Sequence, residues 1–135
     1  MIRYSYLWAA EFRGGREEGI KDRPCAVILV SRDDAGNKTV TVLPISHTPP
    51  INPEFAVEIP DATKRRLGLD DQRSWVVLTE ANRFIWPGPD LRPSRRGDAA
   101  SIAYGALPFA LFEDIRRRFI SILKARRAQI VGRTE

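Results

Sequence analysis

The residues best suited to chemistry are two cations, a hydroxyl and a polar patch, each set against a strand-like run. Lys21 and Arg23 stand where the glycine-rich, charged stretch Gly14-Gly15-Arg16-Glu17-Glu18-Gly19 gives way to Pro24-Cys25-Ala26-Val27-Ile28-Leu29-Val30. Pro24 limits backbone freedom beside Arg23, whose planar fork matches a phosphate. Ser46 closes the next apolar run, and Glu80 and Arg83 follow Trp75-Val76-Val77-Leu78. If the run from Lys38 pairs with the run from Pro24, Arg23 and Ser46 meet near one sheet edge. A guanidinium and a hydroxyl there suit cleavage of RNA by its own neighbouring 2′-hydroxyl. That reaction needs a stabiliser for the charge on phosphorus and a proton donor or acceptor, but no metal. Preorganised charge on a developing oxyanion is usually the largest catalytic contribution, and Arg23 is the candidate for it. Ser46 is the candidate to hold a phosphate oxygen. An unperturbed serine is too weak an acid to move a proton alone, so Glu80 or Arg23 has to help.

Each residue also has a plain reading. Ser46 can be a strand-end hydroxyl bonded to backbone. Glu80 and Arg83 can pair on a solvated face. His47 is either a loop residue or an exposed acid beside an RNA site. Cys25 reads as a small buried hydrophobe. Trp75 and Trp86 suit core or rim better than base stacking, although a ring near Arg83 could stack a base. Arg92, Arg95 and Arg96 form either a solvated loop or a phosphate-tracking patch.

Several chemistries are excluded. One His and one Cys without ligand spacing leave no structural zinc site. No glycine-rich loop ends in Gly-Lys-Ser/Thr, so nucleotide hydrolysis by that route has no support. Ser46 and His47 are neighbours and would point to opposite faces of a strand, which rules out a triad built on them. No metal and no cofactor are expected.

The totals fit one domain spanning residues 1–135, long enough to bury a core. Hydrophobic residues make up 43% and charged ones 29%, as in soluble globular proteins. Lys and Arg number 22 against 17 for Asp and Glu, a net charge of +5 that draws the chain toward polyanions, nucleic acid or an acidic protein. No apolar run approaches the ~20 residues that span a bilayer. The start, Met1-Ile2-Arg3-Tyr4-Ser5, lacks the long apolar segment of a secretory signal, so a cytoplasmic location without membrane contact is expected.

Stepping along the chain, Tyr4–Phe12 reads as a strand, with Tyr4, Tyr6 and Trp8 alternating. Residues 24–31 are apolar on both faces and read as a central strand. Asp33-Asp34-Ala35-Gly36-Asn37 is a turn of about five residues joining it to a strand over 38–46, in the manner of a hairpin. That second strand sets Val40, Val42 and Pro44 on one face, and Thr39, Thr41 and Leu43 on the other. Three prolines make His47–Pro53 a loop. A short strand follows at 55–59, then a helical turn from Ala62 capped by Asp61 and ended by Gly68. Residues 74–85 are a bent strand or a strand pair, 90–101 an irregular loop, and Ser101–Gly105 a last short strand. Pro108 opens a helix over 108–127, with Leu111, Phe112, Ile115, Phe119, Ile122 and Leu123 as its core-facing stripe. Glu113 with Arg117, and Asp114 with Arg118, are spaced to pair. The class is mainly β with α (α+β), a small, strongly bent sheet or barrel packed by a terminal helix.

Ordered along the chain, Gly19-x-Lys21-x-Arg23-Pro24, Leu43-Pro44-Ile45-Ser46, Val77-Leu78-Thr79-Glu80-Ala81-Asn82-Arg83 and Gly105-x-Leu107-Pro108 resemble the PemK/MazF toxin family. The resemblance runs from about Tyr6 to Leu123. It implies an SH3-like barrel with added helices, usually a homodimer. It implies a ribosome-independent endoribonuclease that cuts single-stranded RNA at short sequences without metal, leaving a 2′,3′-cyclic phosphate and a 5′-hydroxyl. It also implies a cognate antitoxin with an acidic, disordered tail, which suits the positive charge. The family's catalytic Arg falls on Arg23 and its catalytic Thr on Ser46. The Glu and Arg of its later strand fall on Glu80 and Arg83. Lys21, Arg16, His47, Glu80, Asn82 and Arg83 are the expected RNA contacts. Three departures stand out: Ser46 keeps the hydroxyl but lacks the β-branch that fixes its rotamer, Ala81 stands where a Gln is common, and the loop from Ser46 to Glu54 is proline-rich. A catalytically silent RNA-binding or regulatory protein of the same fold, and a module that binds an acidic protein, are the alternatives.

Overall fold

A computed structural model describes residues 1–4, 6, 23–32, 35–85, 91–92, 106–125 and 128–132. Its frame is a hairpin of β2 (Arg23–Arg32) and β3 (Lys38–Ser46). Gly36, in the connection, sits at φ 84°, a left-handed conformation that glycine adopts without a Cβ penalty. Val27 faces Val42 but Leu29 faces Thr41, which leaves Ile28 as an extra residue. This bulge turns Ile28 and Leu29 toward the same core, and a bulged strand bends and twists more strongly.

β1 (Ile2–Tyr4) pairs with the start of β2 and carries β7 (Leu91–Arg92) on its other edge. The outer edge of β3 takes two partners in turn. Thr39–Val42 pair with β6 (Glu80–Ile85), and Ile45–Ser46 pair with β5 (Trp75–Val77). Between Val42 and Ile45 lies Pro44, where no ladder joins that edge, so the missing N–H removes no bond there. β4 (Ala56–Glu58) flanks β5, and β8 (Gln129–Gly132) lies parallel to β6. Among the described residues the result is a mainly β arrangement whose sheet curls toward a small β-barrel, with two helices, α1 (Asp61–Leu67) and α2 (Phe109–Lys124).

Alternation along β2, β3 and β6 feeds two cores. Leu43, Ile45, Ala26, Val76 and Ala81 join Ile115 and Phe119 of α2 in the larger one. Val40, Val42, Cys25, Ile2, Tyr6 and Phe84 form the smaller one on the opposite face. This is why β3 is apolar at consecutive positions: both of its faces are covered. Cys25 is fully buried, as its plain reading has it.

The strands expected at 24–31, 38–46 and 55–59 are found as β2, β3 and β4, and the bent strand or strand pair expected at 74–85 is found as two successive strands, β5 and β6, that share the edge of β3. The expected strand Tyr4–Phe12 meets the described residues only at Tyr4, where β1 ends, and at Tyr6. The short strand expected at Ser101–Gly105 lies outside them. Several details differ from expectation. Asp61 does not cap α1: it is the first helical residue, after Pro60, while Gly68 ends the helix in the left-handed conformation at φ 72°. Pro108 stands at the cap of α2 and not within its first turn, its carbonyl accepting from the Phe112 N–H at 2.9 Å. Arg117 reaches Asp114 at 3.1 Å, three residues away, where a pairing with Glu113 was expected; Arg118 pairs with Asp114 as expected, at 3.7 Å. Leu91–Arg92, expected to be loop, is a two-residue strand because β1 offers it an edge. No helix among the described residues is long and apolar enough to cross a membrane.

Candidate functional site

Ser46 ends β3 and hands the chain to the proline-rich loop. Its Oγ accepts the Thr48 N–H at 3.0 Å, a local bond that turns the chain sharply out of the strand. Pro49 and Pro50 then stiffen the loop, Ile51 stands fully exposed at its tip, and Asn52 caps a 3-10 turn over Pro53–Phe55 by accepting from the Glu54 N–H at 2.9 Å. The loop arches over β4 and β5. Between them lies a groove of about 450 Å³ lined by Ser46, Thr48, Pro49, Pro50, Ile51, Asn52, Phe55, Ala56, Val77 and Thr79. A hydroxyl carries one donor and two lone pairs, and Thr48 takes a lone pair. Among the described residues no acceptor is seen for the Ser46 O–H, which leaves it able to donate to a phosphate oxygen in the groove.

Arg23 begins β2, with Tyr4 as its partner on one edge. On the other edge, each step back along β2 is a step forward along β3: Val27 faces Val42, Ala26 faces Leu43 and Cys25 faces Pro44. Cys25–Pro44 is the last pair of this ladder; Arg23 lies two residues before it on β2, and Ser46 two residues after it on β3. The described part of Arg23 is its backbone; Lys21 and Arg16 lie outside the described residues.

His47 turns away from the groove. Its Nδ1 lies 3.0 Å from the Arg73 carbonyl and 3.2 Å from the Ser74 Oγ, and its Nε2 lies 2.9 Å from Asp70 Oδ2. His47 therefore faces this cluster and not the groove, with its side chain about half exposed. Asp70 also binds the buried ammonium of Lys64 at 3.2 Å and the Gln72 N–H at 3.1 Å. Partial burial opposes ionisation of Asp70. The bonds from Lys64 and Gln72, and the charges of His47 and Lys64, outweigh it and hold the carboxyl below its ordinary value. Glu58 is likewise held low, by the fork of Arg73 at 2.8 and 2.9 Å. The Arg73 guanidinium lies over Trp75, 5.0 Å from the ring centre, so the residue that supplies the His47 carbonyl contact is itself tied down.

Both carboxyls ionise more readily folded than unfolded, so the folded chain binds fewer protons through the acid range. Their contribution is complete above the unfolded carboxylate values of about 4 and is lost as pH falls through the folded ones. Thermal melts between neutral and strongly acid pH are expected to fall less steeply in Asp70→Asn than in the wild type, from a lower neutral starting point. An unchanged acid limb in the variant would contradict this.

The later strand divides its candidates. Glu80 follows the groove residue Thr79 and accepts the Tyr6 hydroxyl at 3.1 Å. Arg83 is exposed and faces Thr41, five positions before Ser46, roughly 16 Å along the strand. Three residues apart on one strand, Glu80 and Arg83 lie on opposite faces, so they do not form the patch the sequence suggested. Asn82 is fully buried beside Val42 in register and is closed to RNA in this conformation. Ala81 is also buried, against β8, so its departure from Gln falls on packing. The sequence reading missed Asp70, Lys64, Arg73 and Ser74. Their signal was weak, because a lysine in a short helix and polar residues between that helix and a strand usually mean solvated surface.

Residues 6–84, more than half of the chain, match the family model for the PemK-like, MazF-like toxin of type II toxin-antitoxin systems. No curated protein and no solved structure is found to match. The matched span runs through β2, the groove loop and β5 into β6, the elements that frame Ser46, and the chain belongs to the PemK-like, MazF-like toxins of type II toxin-antitoxin systems.

Proposed function

We propose that this chain is a metal-independent endoribonuclease that cuts single-stranded RNA, with Arg23 and Ser46 at its site. The observation that supports the reading is the β2–β3 register, whose last pair, Cys25 and Pro44, lies two residues from Arg23 and two from Ser46, with Ser46 lining an open groove. In the step itself the 2′-oxygen attacks phosphorus and loses its proton. The bond from phosphorus to the 5′-oxygen breaks, and that oxygen gains a proton. Arg23 offsets the charge that builds on the phosphoryl oxygens, and Ser46 donates its O–H to one of them. Lys21, Arg16 and Arg83 are the proposed cationic contacts to the RNA backbone, and Glu80, next to the groove residue Thr79, is a further proposed contact.

Membership in a toxin-antitoxin family implies an antitoxin partner. An acidic tail on that partner would suit the net charge of +5. A homodimer is part of the same reading, as is action in the cytoplasm. Purified protein incubated with long RNA in excess EDTA is expected to give fragments ending in a 2′,3′-cyclic phosphate and beginning with a 5′-hydroxyl. Intact RNA, or 3′-hydroxyl ends, would overturn the assignment.

A further inference from the structure

Ser46 adjoins a polar cluster with no part in the proposed chemistry. Lys64, only 3% exposed, holds Asp70 Oδ1 at 3.2 Å, and Asp70 Oδ2 holds His47 Nε2 at 2.9 Å. The other His47 nitrogen meets the Arg73 carbonyl at 3.0 Å and Ser74 Oγ at 3.2 Å. A buried ammonium needs an anion beside it, so Lys64 fixes Asp70, and Asp70 has an oxygen left for the imidazole. His47 is therefore gripped from both ends, directly after the residue whose hydroxyl faces the groove.

We propose that Asp70 and His47 are positioning residues: they clamp the end of β3 and thereby set the direction of the Ser46 hydroxyl. The β-branch that would fix a threonine rotamer is missing at Ser46, so its direction depends on the backbone and on the Thr48 N–H that it accepts. Both sit on His47, which lies between them in sequence. The catalytic consequence rests on the nuclease reading; the positioning does not.

The Thr48 amide reports the bond to Ser46 directly. In nitrogen-15-labelled protein, His47→Ala is expected to move the Thr48 amide resonance and to speed its exchange with solvent. With RNA, kcat is expected to fall on the order of 10- to 100-fold with KM nearly unchanged, since misplacement of a reacting group acts on the chemical step. His47→Gln, whose amide can still donate to Asp70, is expected to recover part of both signals. Asp70→Ala is expected to behave as His47→Ala. It also leaves the Lys64 charge unpaired and can unfold the chain, so His47→Ala carries the decision. An unmoved Thr48 amide overturns the proposal, as does a moved amide with unaltered kcat. If the wild type leaves RNA intact, the nuclease reading falls, and the Thr48 amide alone still decides whether His47 positions Ser46.

Discussion

Arg23→Ala is expected to lower the rate of RNA cleavage by about 10²–10³-fold, the usual cost of removing one preorganised stabiliser of transition-state charge. The thermal melt should barely change, because Arg23 is the first residue of β2, beyond the last β2–β3 pair at Cys25 and Pro44. Arg23→Lys keeps the charge but not the planar fork, so it should recover only part of the rate. Single-turnover cleavage of a defined RNA, with melts of the same preparations, checks both halves. Equal rates for wild type and Arg23→Ala would remove Arg23 from the site.

The second large effect concerns the frame. Phe119 lies fully buried on α2, in the larger core with Ile115, Leu43 and Ile45. Truncation to alanine removes its packing and leaves a cavity, which should cost about 3–5 kcal/mol. Phe109, on the first turn of the same helix, is 77% exposed. Its truncation should stay within about 0.5 kcal/mol. Urea unfolding of the two variants measures the contrast. A Phe119→Ala protein as stable as Phe109→Ala would mean that α2 does not seal the core.

How much could be read from the sequence followed from how local each signal was. β3 was legible to the residue, because a turn cluster precedes Lys38 and a proline-rich loop follows Ser46. The β2–β3 pairing followed from that short connection, and α2 from its apolar period. β8 was missed: Gln129–Gly132 has no strand pattern of its own and is extended because β6 offers a parallel edge nearly fifty residues earlier in the chain. β7 is a strand for a similar reason, with β1 as its support.

The same division holds at the candidate site. Ser46 could be singled out because its neighbours 43–45 carry the motif and the strand end. The role of His47 could not, because its partners Asp70, Arg73 and Ser74 arrive from more than twenty positions away through α1. Asn82 looked like a surface polar residue in a polar run, but the curl of the sheet closes the smaller core over it. Glu80 and Arg83 looked like partners until strand alternation separated them.

A double-mutant cycle tests the central claim most directly. Single-turnover cleavage rates are measured for wild type, Arg23→Ala, Ser46→Ala and the double variant on one RNA. If the guanidinium and the hydroxyl act on the same phosphodiester, the double variant should lose scarcely more than the worse single one, because groups that work as a unit are not additive. Losses that multiply in full would place the two residues in separate roles and contradict the account.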